Sequence, residues 1–149
     1  MNLTKNFTLE EFVFSETAIR NGIDNTPPEN LIETITETAQ LVEAIRLILG
    51  APVLITSGYR SPEVNALTKG SSPTSAHIRG EAADCRSPRY GNPYACCLAI
   101  KNANIVFDQL ILEYDSWFHI SRTNSGANRQ QILTKREGTN YMPGLIKKI

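Results

Sequence analysis

An excess of charge of either sign is the first thing this chain lacks: 15 Lys and Arg residues stand against 15 Asp and Glu in 149 residues, a formal net charge of zero. Without a basic field to hold phosphates, nucleic acid is excluded as the main partner, and without a block of like charges there is no acidic or basic tail. Long apolar runs are also missing. None approaches the roughly 20 residues needed to cross a bilayer, so no membrane span is expected. The opening stretch Met1-Asn2-Leu3-Thr4-Lys5-Asn6 has no apolar core or small-residue cleavage site, and we expect synthesis in the cytoplasm without a signal peptide. Cysteine is scarce and odd in number. Cys85, Cys96 and Cys97 include an adjacent pair that cannot form an ordinary bridge, and no CxxC spacing occurs; reduced, buried thiols are expected rather than a Cys-Cys metal or redox site.

What is present is a chain 41% hydrophobic and 20% charged. Such a composition suits one domain over residues 1–149 that buries roughly two-thirds of its unfolded surface and needs neither disulfides nor a structural metal. A metal bound here would serve chemistry.

Thr8-Leu9-Glu10-Glu11 has the form of a capping box, predicting a short helix that ends near Asn21-Gly22. Thr26-Pro27-Pro28-Glu29 repeats the device with proline at the first helical position. Beyond it Leu31, Ile35, Ala39, Val42, Ile45 and Leu49 form one apolar stripe stopped by Gly50, a helix that supports the core. Val53-Leu54-Ile55-Thr56 reads as a buried strand, Ser61-Pro62 opens a short helix, and Lys69 to Thr74 is a loop by composition. Strands are predicted at Ala82–Cys85, Asp108–Tyr114, Trp117–Ser121 and Gln131–Thr134, with a helix from Asn92-Pro93 to about Lys101 and a polar tail at the end. Two helices followed mainly by antiparallel strands predict an α+β domain with helices packed on one side of an antiparallel sheet.

Only two histidines are present, His77 and His119. His77 ends the Gly/Ser-rich loop, Asp84 follows seven residues later in a strand-like segment, and His119 sits inside a strand. One histidine alone is more often a satisfied core or surface residue; with Asp84 the two supply three ligands suited to Zn²⁺ and leave a fourth tetrahedral position open for water, the pattern of a catalytic zinc. If Tyr114-Asp115-Ser116 is the hairpin loop, Glu113 faces Trp117 across the strands and lies diagonal to His119 on the same side, roughly 7–8 Å away between backbones. That direction suits a general base. Asp115 competes for the role should the hairpin register shift. Arg60 leaves the end of a strand after Gly58, where a guanidinium could bind a substrate carboxylate or meet the oxyanion of peptide hydrolysis; otherwise it is a surface or loop-ordering arginine.

Three stretches, Ser57-Gly58-Tyr59-Arg60-Ser61-Pro62, Ser75-Ala76-His77-Ile78-Arg79-Gly80-Glu81-Ala82-Ala83-Asp84 and Trp117-Phe118-His119-Ile120-Ser121, resemble the M15 zinc peptidases of peptidoglycan, which include D-alanyl-D-alanine carboxypeptidases, D,D-dipeptidases and phage endolysin peptidases. The segments Phe7-Thr8-Leu9-Glu10-Glu11-Phe12 and Gly22 to Pro28 resemble the phage and prophage branch of that family. The resemblance implies a hedgehog/DD-peptidase-like fold, one Zn²⁺ on His77, Asp84 and His119, substrate or transition-state contact from Arg60, and a substrate-side position for Ser75. Many members carry an acidic residue three positions before the last histidine, where this chain has Ser116; Glu113, six positions before, agrees with the spacing in the related hedgehog signalling domain and the phage-like branch. The implied activity is hydrolysis of a peptide bond in the peptidoglycan stem, with stem peptides as partners, by a monomer or virion-associated protein that acts on the cell wall as a phage or prophage product. Two rivals stand beside a D,D-specific enzyme: a lysin cutting L-Ala-D-Glu bonds, and a non-catalytic zinc-containing module for wall binding or virion structure.

Overall fold

The computed structural model describes residues 1–149. Five α-helices and six strands follow in the order α1 (Leu9–Val13), α2 (Glu16–Asn21), a single 3-10 turn (Glu29–Leu31), α3 (Ile32–Leu49), β1 (Leu54–Ser57), α4 (Pro62–Leu67), β2 (Ala82–Arg86), α5 (Pro93–Asn102), β3 (Gln109–Glu113), β4 (Trp117–Ser121), β5 (Gln131–Lys135) and β6 (Met142–Pro143). The strands form one sheet in the order β1-β2-β4-β3-β5-β6. Neighbours run antiparallel except β3 and β5, which are parallel because the chain passes through β4 and a long connection before returning beside β3. The fold is therefore α+β as expected, with one parallel pair in the sheet. No helix is long and apolar enough to cross a membrane.

Strand alternation divides the sheet into two unlike faces. Ala83, Cys85, Leu110, Leu112, Phe118 and Ile120 point to one side and join Ile35, Ala39, Val42 and Ile45 of α3 and Cys96, Cys97 and Ile100 of α5 in the main core. The other face carries Asp84, Ile111, Glu113, Trp117, His119 and Leu133, and these line a cavity. All three cysteines are buried and unbridged, and burial pushes the Cys85 and Cys97 thiols well above the ordinary thiol range, so they act as small apolar residues.

The N-terminal capping box forms: the Thr8 hydroxyl accepts from the Glu11 N–H, and Glu11 accepts from the Thr8 N–H. The single helix expected there is two, because Phe14 is extended and Ser15 caps a second helix through the Ala18 N–H. The second capping box does not form. Asp24 Oδ1 instead accepts the Thr26 N–H, a local turn, and the 3-10 segment starts without a side-chain cap. The stripe on α3 is buried as predicted and Gly50 ends the helix at φ 63°. Val53 is buried, but β1 itself is the sheet edge, with Leu54 half exposed, rather than a buried strand. The polar tail contains β6, a strand of two residues whose proline sits at an edge where no ladder donor is needed.

Candidate metal centre and cleft

The register of three strands assembles the site. Asp84 on β2 is the cross-strand partner of His119 on β4, and His119 is the partner of Ile111 on β3. Glu113 pairs with Trp117, so the hairpin has the register the sequence predicts, with Tyr114 and Asp115 in its turn at φ 55° each. His77 comes from the loop between α4 and β2. Two contacts hold that loop: Thr38 of α3 donates to the Gly80 carbonyl at 2.7 Å, and Gly80 takes a φ of 72° where a side chain would meet Ile35. The helix read as a core support thus also positions the loop that carries His77. Buried Glu81 strengthens the same loop by accepting from Arg79 at 2.8 Å and from the Asn124 N–H at 3.1 Å.

His77, Asp84 and His119 are 3%, 5% and 9% exposed, and one donor atom from each lies within 4.8 Å of the others, so the group could hold a metal ion. Their chemistry fits one. His77 Nδ1 is 2.7 Å from the Gly58 carbonyl oxygen, which can only accept; Nδ1 therefore carries the proton, and Nε2 presents its lone pair 3.4 Å from Asp84 Oδ1. His119 Nδ1 is 3.1 Å from the same oxygen, and the two rings meet edge to face at 5.2 Å. Burial, outweighing the Asp84 charge, lowers the His77 pKa and keeps it neutral. Burial raises Asp84, but its electrostatic and hydrogen-bonding interactions with His77 and His119 outweigh it and hold the carboxyl well below the usual carboxylate range. Neutral imidazole and ionised carboxylate are the forms in which these groups bind a cation.

Gly58 is required by close packing. A Cβ there would lie 2.4 Å from the Phe12 carbonyl oxygen, the atom that accepts the Tyr59 N–H at 2.7 Å. The end of α1 is thereby fixed against the strand end that orients His77.

The three groups lie in a cavity of about 670 Å³. Glu113 lines it, accepting the Trp117 indole N–H at 2.7 Å. Burial and then the Asp84 charge raise its pKa, against the opposing effects of His119, Trp117 and Arg60. Asp115 is elsewhere, in a two-point ion pair with Arg136 at 2.8 and 2.9 Å, and Ser116 sits in the hairpin turn with its hydroxyl on the Tyr114 carbonyl. Arg60 lines the cavity, yet its donors face protein acceptors: Nη2 to Asp84 Oδ2 at 3.2 Å, Nε to Ser57 at 3.1 Å and Nη1 to Asn65 at 3.4 Å. Ser75 is also on the cavity, its hydroxyl accepting the His77 N–H at 3.2 Å. Sequence reasoning missed Asp108, Arg129 and Tyr141, which line the same space. Arg129 is fastened to Asp108 by bonds of 2.8 and 3.0 Å; no motif marked either residue.

A buried histidine–aspartate–histidine group beneath a carboxylate-lined cleft is the architecture of a metal-dependent hydrolase. A family profile described as Peptidase M15 matches residues 5–121, most of the chain, and the protein belongs to that family. No curated protein matches it.

Proposed function

We propose that the protein is a zinc-dependent peptidase hydrolysing a peptide bond in the peptidoglycan stem, of D-Ala-D-Ala carboxypeptidase or endopeptidase type, working as one domain over residues 1–149. The observation that carries this reading is the convergence of His77, Asp84 and His119 with Glu113 on one face of the sheet, inside one cleft. His77 Nε2, Asp84 Oδ1 and a ring nitrogen of His119 would hold one Zn²⁺. When bound, zinc supplies Lewis acidity, polarising a carbonyl and lowering the pKa of water towards about 7.

The remaining work falls to the chain. Glu113 takes a proton from the attacking water as the water oxygen adds to the scissile carbonyl, and returns it to the amine nitrogen as the C–N bond breaks. Its raised pKa favours that return. The Trp117 indole fixes the carboxylate through one oxygen and leaves the other for the proton. Arg60 balances the buried Asp84 charge, keeps that carboxylate oriented and offers positive charge to the cleft as negative charge develops on the substrate. Ser75 gives the substrate a hydroxyl beside His77.

The test is zinc content and muropeptide cleavage in the parent, His77→Ala and Glu113→Ala. The reading expects His77→Ala to lose zinc and activity together and Glu113→Ala to retain zinc and lose activity; a zinc-free His77→Ala protein with full activity overturns it. A second reading, a non-catalytic zinc-containing wall-binding or virion module, draws on the engagement of every Arg60 nitrogen by protein acceptors. Stoichiometric zinc with peptide binding and no cleavage of any stem peptide would favour it.

A further inference from the structure

The open face of the sheet carries a lateral row of side chains that ends beyond the family match. Glu113 on β3 is the register partner of Trp117 on β4 and of Lys135 on β5. The ladder from β5 to β6 pairs Leu133 with Pro143 and Thr134 with Met142, and one further step of that register sets Lys135 beside Tyr141. The Lys135 ammonium lies 5.4 Å from the centre of the Tyr141 ring. The row therefore reads Trp117, Glu113, Lys135, Tyr141. Its two aromatic ends and Glu113 line the cavity, while Tyr141 falls after residue 121, where the family match stops.

The segment that follows Tyr141 is tied to β5 and the residue after it. The Gly144 N–H donates to the Ile132 carbonyl at 2.8 Å, the Thr134 hydroxyl donates to the Gly144 carbonyl at 2.9 Å, and the Ile146 N–H donates to that hydroxyl at 3.0 Å. Arg136 closes the segment with a bond to the Ile146 carbonyl at 2.7 Å. Half of Tyr141 stays exposed, at 49%. The other donors of the row are spent: the Trp117 indole on Glu113 and the Lys135 ammonium on the Thr139 carbonyl. Glu113, as a carboxylate, can only accept. Burial and then the Glu113 charge push the Tyr141 pKa upward, helped by a hydrogen-bonding interaction with the Glu113 carboxylate, so the phenol stays protonated as a donor beside Glu113.

We propose that Tyr141 is a substrate-contacting residue of the cleft, its hydroxyl donating a hydrogen bond to an acceptor oxygen of the peptide lying over Glu113 and its ring forming the wall opposite the His77 loop. The assignment rests on the peptidase reading above and adds to it a contact supplied by this chain's own C-terminal segment.

The experiment uses the full zinc-loaded chain, as parent, Tyr141→Phe and Tyr141→Ala, with soluble muropeptides carrying the whole stem peptide. Zinc content, kcat and KM are measured, and binding ahead of turnover is followed by stopped-flow fluorescence of Trp117, the sole tryptophan and a residue of the cavity. Tyr141→Phe keeps the ring and its packing, and should raise KM and the fluorescence-derived Kd by about 3- to 10-fold, as expected for one lost hydrogen bond, with kcat within about twofold and zinc unchanged. Tyr141→Ala should raise both further. Parent values of KM and Kd in both variants overturn the proposal. A parent that binds the peptide without cleaving it defeats the peptidase reading alone, and the Kd of Tyr141→Phe then decides the contact by the same criterion. A parent that neither binds nor cleaves overturns both.

Discussion

The two faces of the central strands are built from alternate residues of the same short segments, yet they are governed by different physics. On β4, Phe118 and Ile120 have no exposed surface and enter the helical core, while Trp117 and His119 between them face the cleft. On β3, Leu110 and Leu112 alternate with Ile111 and Glu113 in the same way. The covered face gains from removing apolar area from water, a non-directional effect that tolerates many residues of the right size. The open face depends on direction: a tautomer set by one carbonyl, a carboxylate shared by two imidazoles and a guanidinium, an indole on a glutamate. Because both faces share a backbone, the packing of one fixes the aim of the other. Stability and chemistry should therefore separate cleanly under substitution of adjacent residues.

The largest effect should come from His119→Ala. Outer-shell partners of a metal alone cost 10–100-fold in affinity or activity, so loss of a donor should leave hydrolysis below about one-hundredth of the parent and remove zinc, with thermal unfolding of the metal-free proteins little changed. The neighbouring substitution Phe118→Ala should do the reverse, lowering stability by about 3–5 kcal/mol while the protein that remains folded still binds zinc. Denaturant unfolding beside metal analysis checks both; a Phe118→Ala protein of parent stability would break the comparison. Glu113→Gln should follow at about 10²- to 10⁴-fold in kcat, with zinc and stability retained, measured by steady-state kinetics on muropeptides.

How much of this could be read in advance follows the same division. The donor group was legible because two histidines in 149 residues, one after a loop and one inside a strand, leave few ways to be arranged around Asp84. The position of Glu113 followed from the period of two along a strand and a short hairpin. Arg60 was legible as a cleft residue, but its partner Asp84 lies 24 positions away on another strand, and nothing local announces such a contact. The edge position of β1 depends on strand order, which apolar composition does not encode. Tyr141 was hidden more deeply. The strand it precedes is two residues long, contains proline and has no alternation to detect; only the pairing of that strand with β5 brings Tyr141 to the cleft. Where Asp24 displaced the Thr26 cap, two local hydrogen-bonding motifs competed within three residues and the shorter turn prevailed.

Gly58 belongs to both regions at once, and so sharpens the comparison from the other side. Gly58→Ala would force its Cβ to within 2.4 Å of the Phe12 carbonyl, and overpacking of this kind typically costs about 1–3 kcal/mol. The carbonyl that orients His77 moves with it. Stability and zinc affinity should fall together here, unlike the separate losses at Phe118 and His119; chelator competition and denaturant unfolding on one preparation would show whether they do.

The smallest effect is expected at Asp115, and it discriminates between two carboxylates two positions apart. Asp115→Asn keeps a residue that tolerates the φ of 55° in the hairpin turn and removes only the ion pair with Arg136, whose partners are about one-fifth and one-quarter exposed. Such a pair is worth up to about 1 kcal/mol. The Arg136 hydrogen bond, partly opposed by burial, holds the Asp115 pKa below its ordinary value. A depressed carboxyl contributes stability above its unfolded pKa of about 3.9 and loses it as pH falls through the lower folded value. The parent should therefore exceed Asp115→Asn in stability at neutral pH, and the gap should close in acid below about pH 4. Hydrolysis at neutral pH should be unchanged. A loss of kcat in Asp115→Asn as large as that in Glu113→Gln would move the base from the open face of β3 to the turn.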